Sequence, residues 1–378
     1  MRPTTSPQFL LVEPVHKTCY PPIGLMKIST MLKNRYPKAR VFDQVGSGIP
    51  TGLSMPKGIF ITSLFTWDMD KVIKTTNYYQ TRFPKATIQI GGIAASLLPD
   101  HINLHTGVKP HIGLLKDAEN CPPDYTLTFG RKNQTSITFA SRGCPRRCKF
   151  CSVANIEPKF YPKDDWEKDV SPILPAITFW DNNWLASPNL EKDCRKLSTL
   201  NKRVDFNQGL DARLYTETIA SLLSKININP LRFAFDDIRQ ERLLLKAIRL
   251  AKKYGNKDIR VYVLYNFNDT PEDFYYRLNL LNREKVLSFP MEFRRPTELK
   301  VKFPGRNWNV ALLRAMKLSL MYYYRKGMIT ISRESFLSIY GDNQKDFIKK
   351  LYDIYKYDKF LKRRKNETPS NILEVEKC

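Results

Sequence analysis

The chain has 378 residues, 42% of them hydrophobic, with seven cysteines and a formal net charge of +25. At about 150 residues per domain this length suggests two or three domains, and it excludes a small scaffold held together by disulfides. There is no run of about 18 uncharged apolar residues and no secretory pattern at the amino terminus, so the expectation is a cytoplasmic protein. The charge suits a polyanionic partner such as nucleic acid, because lysine and arginine gain by displacing counterions from phosphates. A genome biased toward Lys, Asn, Ile and Tyr would yield the same charge with no such partner.

In chain order, FLLVEPV (9–15) reads as a buried strand, and apolar residues at helical spacing follow from Leu25 to Tyr36. ARVFD (39–43), GIFITSLF (58–65) and ATIQIGG (86–92) read as further strands, with a helix over 68–83. Strand and helix alternating in this way imply a parallel, helix-covered sheet, and residues 1–115 form a Rossmann-like domain. PDHINLHTG (99–107) reads as an irregular loop carrying a surface pair, His101 and His105.

Residues 116–135 are polar and turn-rich and suit a linker. A second alternation fills 136–304. Its strands are placed at 136–143, 176–184, 204–211, 231–237, 259–267 and 286–293, and its helices at 190–200, 215–225, 239–254 and 271–284. Six such units in a row predict a partial (β/α)6 barrel of the TIM type, with functional residues at the carboxyl ends of the strands. Residues 305–378 are a basic helical extension, and 366–378 read as a polar tail. The last helix interleaves Lys345, Lys349, Lys350, Lys356, Lys359, Lys362, Arg363 and Arg364 with Tyr352, Tyr355 and Tyr357. This pattern suits stacking on bases and pairing with phosphates, or equally an amphipathic helix that buries Phe347, Leu351 and Ile354.

The stretch SRGCPRRCKFC puts Cys144, Cys148 and Cys151 in the loop after the first strand of this second series. Structural zinc and ferredoxin-type clusters take four protein ligands, and no fourth cysteine lies nearby. Three thiolates alone leave one metal position open for a substrate or cofactor, although a zinc or redox-cysteine loop remains the alternative. Cys19, Cys121 and Cys194 read as small buried hydrophobes.

The C-x3-C-x2-C spacing at that position, with Phe150 before the last cysteine, resembles the radical S-adenosylmethionine (SAM) superfamily. The resemblance implies a 4Fe-4S cluster on Cys144, Cys148 and Cys151, and a reductant such as flavodoxin or ferredoxin. It also implies reductive cleavage of SAM to a 5′-deoxyadenosyl radical. FLLVEPV, YPPIGLMKISTML and Gly91-Gly92 followed by Pro99 resemble the subgroup whose barrel follows a cobalamin-binding-type domain. Cobalamin, and with it methyl transfer, is therefore a candidate, although no D-x-H-x-x-G is present and His16 is not in that context. By the same resemblance, Asp181, Asn182 and Asn183 stand where the methionine amino group is held. Gln208, Asp211 and Arg213 stand near the ribose or carboxylate, Asp236 at a further SAM contact, and Tyr265 and Asn266 near the adenine. Gly91 and Gly92 stand at the cofactor edge of the first domain. The alternative from another class is a non-catalytic nucleic-acid-binding protein with a structural cysteine metal site.

Overall fold

The computed structural model describes residues 6–16, 18–299, 304–324, 327–329 and 331–367, with the side chains of 362–367 excluded. The polar tail expected at 366–378, and the charges expected at Lys362, Arg363 and Arg364, therefore fall outside the described side chains.

β1 (Gln8–Glu13), β2 (Arg40–Val45), β3 (Pro56–Thr62) and β4 (Thr87–Gly91) form a parallel sheet in the order β2-β1-β3-β4. Both faces of the two central strands are buried, which is why they read as unbroken apolar runs rather than alternating ones. On one face Phe9, Leu11 and Phe60 pack with Leu25, Met26 and Leu32 of α1 (Ile23–Arg35). On the other, Leu10, Val12, Ile59 and Ile61 pack with Met69, Val72 and Tyr79 of α2 (Met69–Arg82). The chain leaves β1 toward β2 on one side and returns to β3 on the other. The carboxyl ends of β1 and β3 thus flank a topological switch point, the usual place for a ligand in such sheets.

Gly92 follows β4 with φ +110°, and a Cβ there would come within 2.4 Å of the Ser63 carbonyl oxygen. Only glycine lets the two backbones cross this closely. Beyond α3 (Ile93–Leu97), the stretch expected as a loop is α4 (Pro99–Thr106). Pro99 stands in its first turn, where proline starts a helix rather than breaking one, and left-handed Gly107 closes it. His101 and His105 therefore lie one turn apart, with His105 Nδ1 bonded to the His101 carbonyl.

Residues 116–135 contain α5 (Lys116–Glu119) and pack back on the first sheet. Ser29 and Lys33 donate to Asp124 at 2.6 Å each, and Leu127 and Phe129 are buried. The chain then enters β5 (Ser136–Thr138) and β6 (Ser141–Arg142), passes α6 (Val153–Ile156), and returns in β7 (Tyr161–Pro162), which pairs antiparallel with β6. β5 forms a parallel sheet with β8 (Ala176–Phe179) and β9 (Arg203–Phe206), interleaved with α7 (Leu190–Thr199) and followed by α8 (Glu217–Leu223).

β10 (Leu231–Ala234), β11 (Ile259–Tyr265) and β12 (Leu287–Glu292) make a second three-stranded sheet, in that order, with α9 (Glu241–Lys253) and α10 (Pro271–Arg283) between them. All six expected strands are present, but they hydrogen-bond as three and three. The outer edge of β9 is taken by Ile228, with Val204 exchanging backbone bonds with Asn227 and Asn229. The chain divides into two compact units: Met1–Arg232 with Ala247–Lys257 and Arg294–Val301, and Phe233–Lys246 with Asp258–Phe293 and Lys302–Cys378. The second unit also holds α11 (Val310–Tyr323), α12 (Arg333–Tyr340) and α13 (Gln344–Glu367). On α13 Phe347 and Leu351 are fully buried, Phe347 against Phe274 and Tyr275. Among the described residues no helix is long and apolar enough to cross a membrane.

Candidate functional site

The cysteine loop leaves β6 through Gly143, which has φ +69°. An added Cβ there would meet the Lys159 carbonyl oxygen at 2.2 Å, so the glycine is required by the turn itself. Its N–H donates to Glu157 Oε2 at 2.7 Å, anchoring the root of the loop. Within the loop the Cys151 N–H donates to the Cys148 carbonyl at 3.0 Å, and the Arg146 N–H to Cys144 Sγ at 3.4 Å. Cys144 and Cys148 are half-buried, Cys151 is exposed, and none of the described cysteines is in a disulfide. Arg146, Arg147 and Lys149 stand between the thiols in sequence. Among the described residues no three His, Cys, Asp or Glu are gathered as a metal-ligand set. The loop presents the donors without drawing them together. Of the other described cysteines only Cys194 is buried; Cys19 is exposed and Cys121 half-buried, so the expectation fails for those two.

Two carboxylates tie this loop to the neighbouring strands. Asp181, just past β8, is 3% exposed and accepts from the Ala140 N–H at 3.0 Å and from Ser141 Oγ at 2.6 Å. Burial raises its carboxyl to about 7 against those hydrogen bonds. The side chain expected to hold a ligand's amino group is thus turned under the loop and positions it. Asp211, past β9, binds Arg146 Nε at 2.9 Å, Arg213 Nε at 2.6 Å and Asn183 Nδ2 at 3.2 Å. Burial pushes Asp211 upward, but the Arg213 and Arg146 guanidiniums outweigh it and hold it below the ordinary carboxylate range. Asp181, Asn183, Asp211 and Arg213 are therefore brought together at the loop. Phe150 is half-buried on the loop itself.

A cavity of ≈ 380 Å³ lies beside these residues, within the first unit. Glu13, Thr62–Leu64 and Gly91-Gly92 bring the carboxyl ends of β1, β3 and β4 to its wall, and Phe139, Trp180, Asn182 and Gln208 bring those of β5, β8 and β9. Asn182 Nδ2 reaches Glu157 Oε2 at 3.4 Å. Of the expected ligand-binding residues, Asn182, Gln208, Gly91 and Gly92 line this cavity.

The other expected contacts lie in the second unit. Tyr265 is 2% exposed, with its ring 4.8 Å from Phe274 and 5.3 Å from Trp308. Asn266 has φ +69°, donates to the Phe293 carbonyl and accepts from the Gly305 N–H. Both serve the packing of the second sheet, because the ring is enclosed by core aromatics and the amide is used by backbone. Asp236 lies past β10, where its charge acts on the buried Arg277 guanidinium.

The cavity wall also holds groups that sequence reasoning missed. Arg142 is 6% exposed. It binds Glu119 through Nε at 3.0 Å and Nη2 at 2.6 Å, binds Glu157 at 3.2 Å, and sits 3.5 Å over the Phe139 ring. Lys163 meets the same Glu119 at 2.9 Å, and Lys27 meets Asp169 at 3.0 Å. Burial tends to raise Glu119, but Arg142, Lys27 and Lys163 outweigh it and lower the carboxyl to about 2. For Lys27 and Asp169 burial prevails over their attraction, lowering the ammonium and raising the carboxyl. Glycine after an arginine in SRGC was a local hint. The partners, 23 and 142 residues apart, had none.

No protein-family model matches the chain, and no curated protein matches it. Among solved structures, coproporphyrinogen III oxidase (HemN) from Escherichia coli, a radical SAM enzyme, is similar at 11% identity and a TM-score of 0.29. The similarity covers 50% of this chain and 40% of that one. So weak a likeness shows neither a shared activity nor a shared substrate.

Proposed function

We propose that the chain is a radical SAM enzyme in which Cys144, Cys148 and Cys151 hold a 4Fe-4S cluster. The observation that carries the reading is three thiols within eight residues on the loop after β5 and β6, whose flanking residues Arg142 and Glu157 line a cavity at the strands' carboxyl ends. Bound there, the cluster would relay one electron from a flavodoxin- or ferredoxin-class reductant to SAM, breaking the sulfur–C5′ bond to give methionine and a 5′-deoxyadenosyl radical. Three protein ligands suit this chemistry because one iron is left for the cofactor.

The chain's own residues do the rest. Asp181 and Glu157 fix the root of the loop through Ala140, Ser141 and Gly143, and Asp211 restrains it through Arg146. The largely apolar wall of the cavity would limit water around a reactive radical and so protect it from side reactions. His16 Nδ1 is engaged by Asp68 at 3.2 Å and is no ready ligand for cobalamin, which the proposed chemistry does not require.

The test is anaerobic reconstitution with iron and sulfide, followed by metal analysis and then by SAM with a strong reductant. Wild type is expected to hold a 4Fe-4S cluster and release 5′-deoxyadenosine, and Cys148→Ala to lose both. Zinc in place of iron, or a cluster kept in full by Cys148→Ala, would sink the reading.

The net charge of +25 favours a nucleic acid as macromolecular partner, with Lys345, Lys349, Lys356 and Lys359 exposed on α13. Affinity for single-stranded nucleic acid falling steeply with salt is the expected behaviour.

A further inference from the structure

We infer that the substrate this cavity takes, as distinct from SAM itself, is a small, uncharged and largely apolar molecule, and that phosphates and carboxylates are turned away as substrates in spite of the chain's positive charge. The inference rests on the proposed function in one respect, that the cavity is the substrate chamber.

It follows from how the charges of the wall are used. Among the described residues, the Asp, Glu, Lys and Arg side chains on the wall are Glu13, Lys27, Glu119, Arg142 and Glu157. Glu13, 2% exposed, is gripped by both Arg131 terminal nitrogens, at 3.2 and 2.5 Å. Of the other four, Lys27 pairs with Asp169, and Arg142 pairs with Glu119 and Glu157, with Lys163 sharing Glu119; Lys27 Nζ also donates to the Glu119 carbonyl at 3.2 Å and joins the two sets, three carboxylates and three cations in all. A proton passed from Lys27 to Asp169 leaves that balance unchanged. Every one of these charges already faces an opposite charge, so an incoming anion would shed its water and find no spare cation among them. His111 stands at the exposed edge of the wall.

What remains is apolar surface with a few neutral polar groups, the composition of a site for a small organic molecule. Phe60, Ile90, Phe139 and Trp180 are on the wall, with the Tyr20 ring edge-on to Trp180 at 5.4 Å. Asn182, Gln89 and Gln208 add neutral polar groups to the wall, the kind that orient a carbonyl or hydroxyl. A volume of ≈ 380 Å³ is within the range of sites for such ligands, about 300–1,000 Å³.

Two dyes with one ring system separate the alternatives. N-phenyl-1-naphthylamine is neutral, and 1-anilinonaphthalene-8-sulfonate adds one negative charge. Both are titrated by fluorescence into the full chain. Gly24, on α1, lines the cavity, and a Cβ there would meet nothing within 4 Å, so Gly24→Leu extends into the space. Ile93→Trp fills it from the other side of the switch point and guards against a folding defect in the first variant. The neutral dye is expected to bind at least about tenfold more tightly than the sulfonate at the site that both variants weaken, a gap of about 1.4 kcal/mol or more. A sulfonate that competes with the neutral dye at equal or better affinity would overturn the inference. So would neutral-dye binding that neither variant weakens. Cys148→Ala is expected to keep dye binding while losing iron, so the cluster reading and the ligand inference fail on different measurements.

Discussion

The two three-stranded sheets differ at their carboxyl ends. Past β8 and β9 the chain places Asp181, Asn183 and Asp211, all buried or nearly so, and each is hydrogen-bonded toward the cysteine loop or its neighbours. At the ends of β11 and β12 it places Tyr265, Asn266 and Phe293, which close on Phe274, Trp308 and Gly305 as a packed aromatic end. Similar strand and helix spacing thus yields one sheet whose end is an electrostatic frame and another whose end is core. A polar residue at a strand's end marks a site only where its neighbours leave the polar group something other than backbone to bind. Asn266 has the residue type but not the surroundings.

The contrast can be broken at its strongest point by Arg142→Met. Removing one partner from a buried ion network leaves Glu119 and Glu157 without their main cation, and the expected loss is about 3–5 kcal/mol in denaturant unfolding. A loss under about 1 kcal/mol, the scale of an exposed pair, would mean that the network is solvated and the frame is not electrostatic.

Asp181 sharpens the comparison through pH. Its carboxyl is raised from the ordinary 3.8 to about 7, so the fold holds a proton that the unfolded chain has released. That contribution is complete below about pH 4 and is lost as pH rises through about 7; at about 1.4 kcal/mol per pH unit it amounts to roughly 4 kcal/mol. Asp181→Asn keeps the shape and removes the titration. Subtracting its stability curve from that of wild type should leave this slope and little else, and a flat difference from pH 4 to 7 would show that the carboxyl is not held neutral.

The smallest effect belongs to the second unit. Thr270 caps α10 through the Asp273 N–H at 3.1 Å, and Asp273 returns a bond to the Thr270 N–H. Thr270→Ala is expected to cost about 1 kcal/mol, read by thermal unfolding, with iron content unchanged. Loss of iron in this variant would couple the second sheet to the cysteine loop.

Local periodicity, with apolar runs long enough to be buried on both faces, fixes the order and type of the longer strands and helices, while the short elements α3 to α6 and β7 carry no such signal. FLLVEPV, the helix at 68–83 and the six strands of the second series belong to that class. The cysteine motif belongs there too, since its donors lie within eight residues. PDHINLHTG misled because proline and glycine there punctuate a short helix rather than a loop. Only the folded chain settles that β9 ends its sheet at Ile228, that Asp181 turns under the loop, and that the Arg142–Glu119 and Lys27–Asp169 pairs are joined through the Glu119 carbonyl. Those outcomes join residues as far as 142 positions apart. A charge's partner is chosen by which groups share its burial, and no local pattern in the chain encodes that.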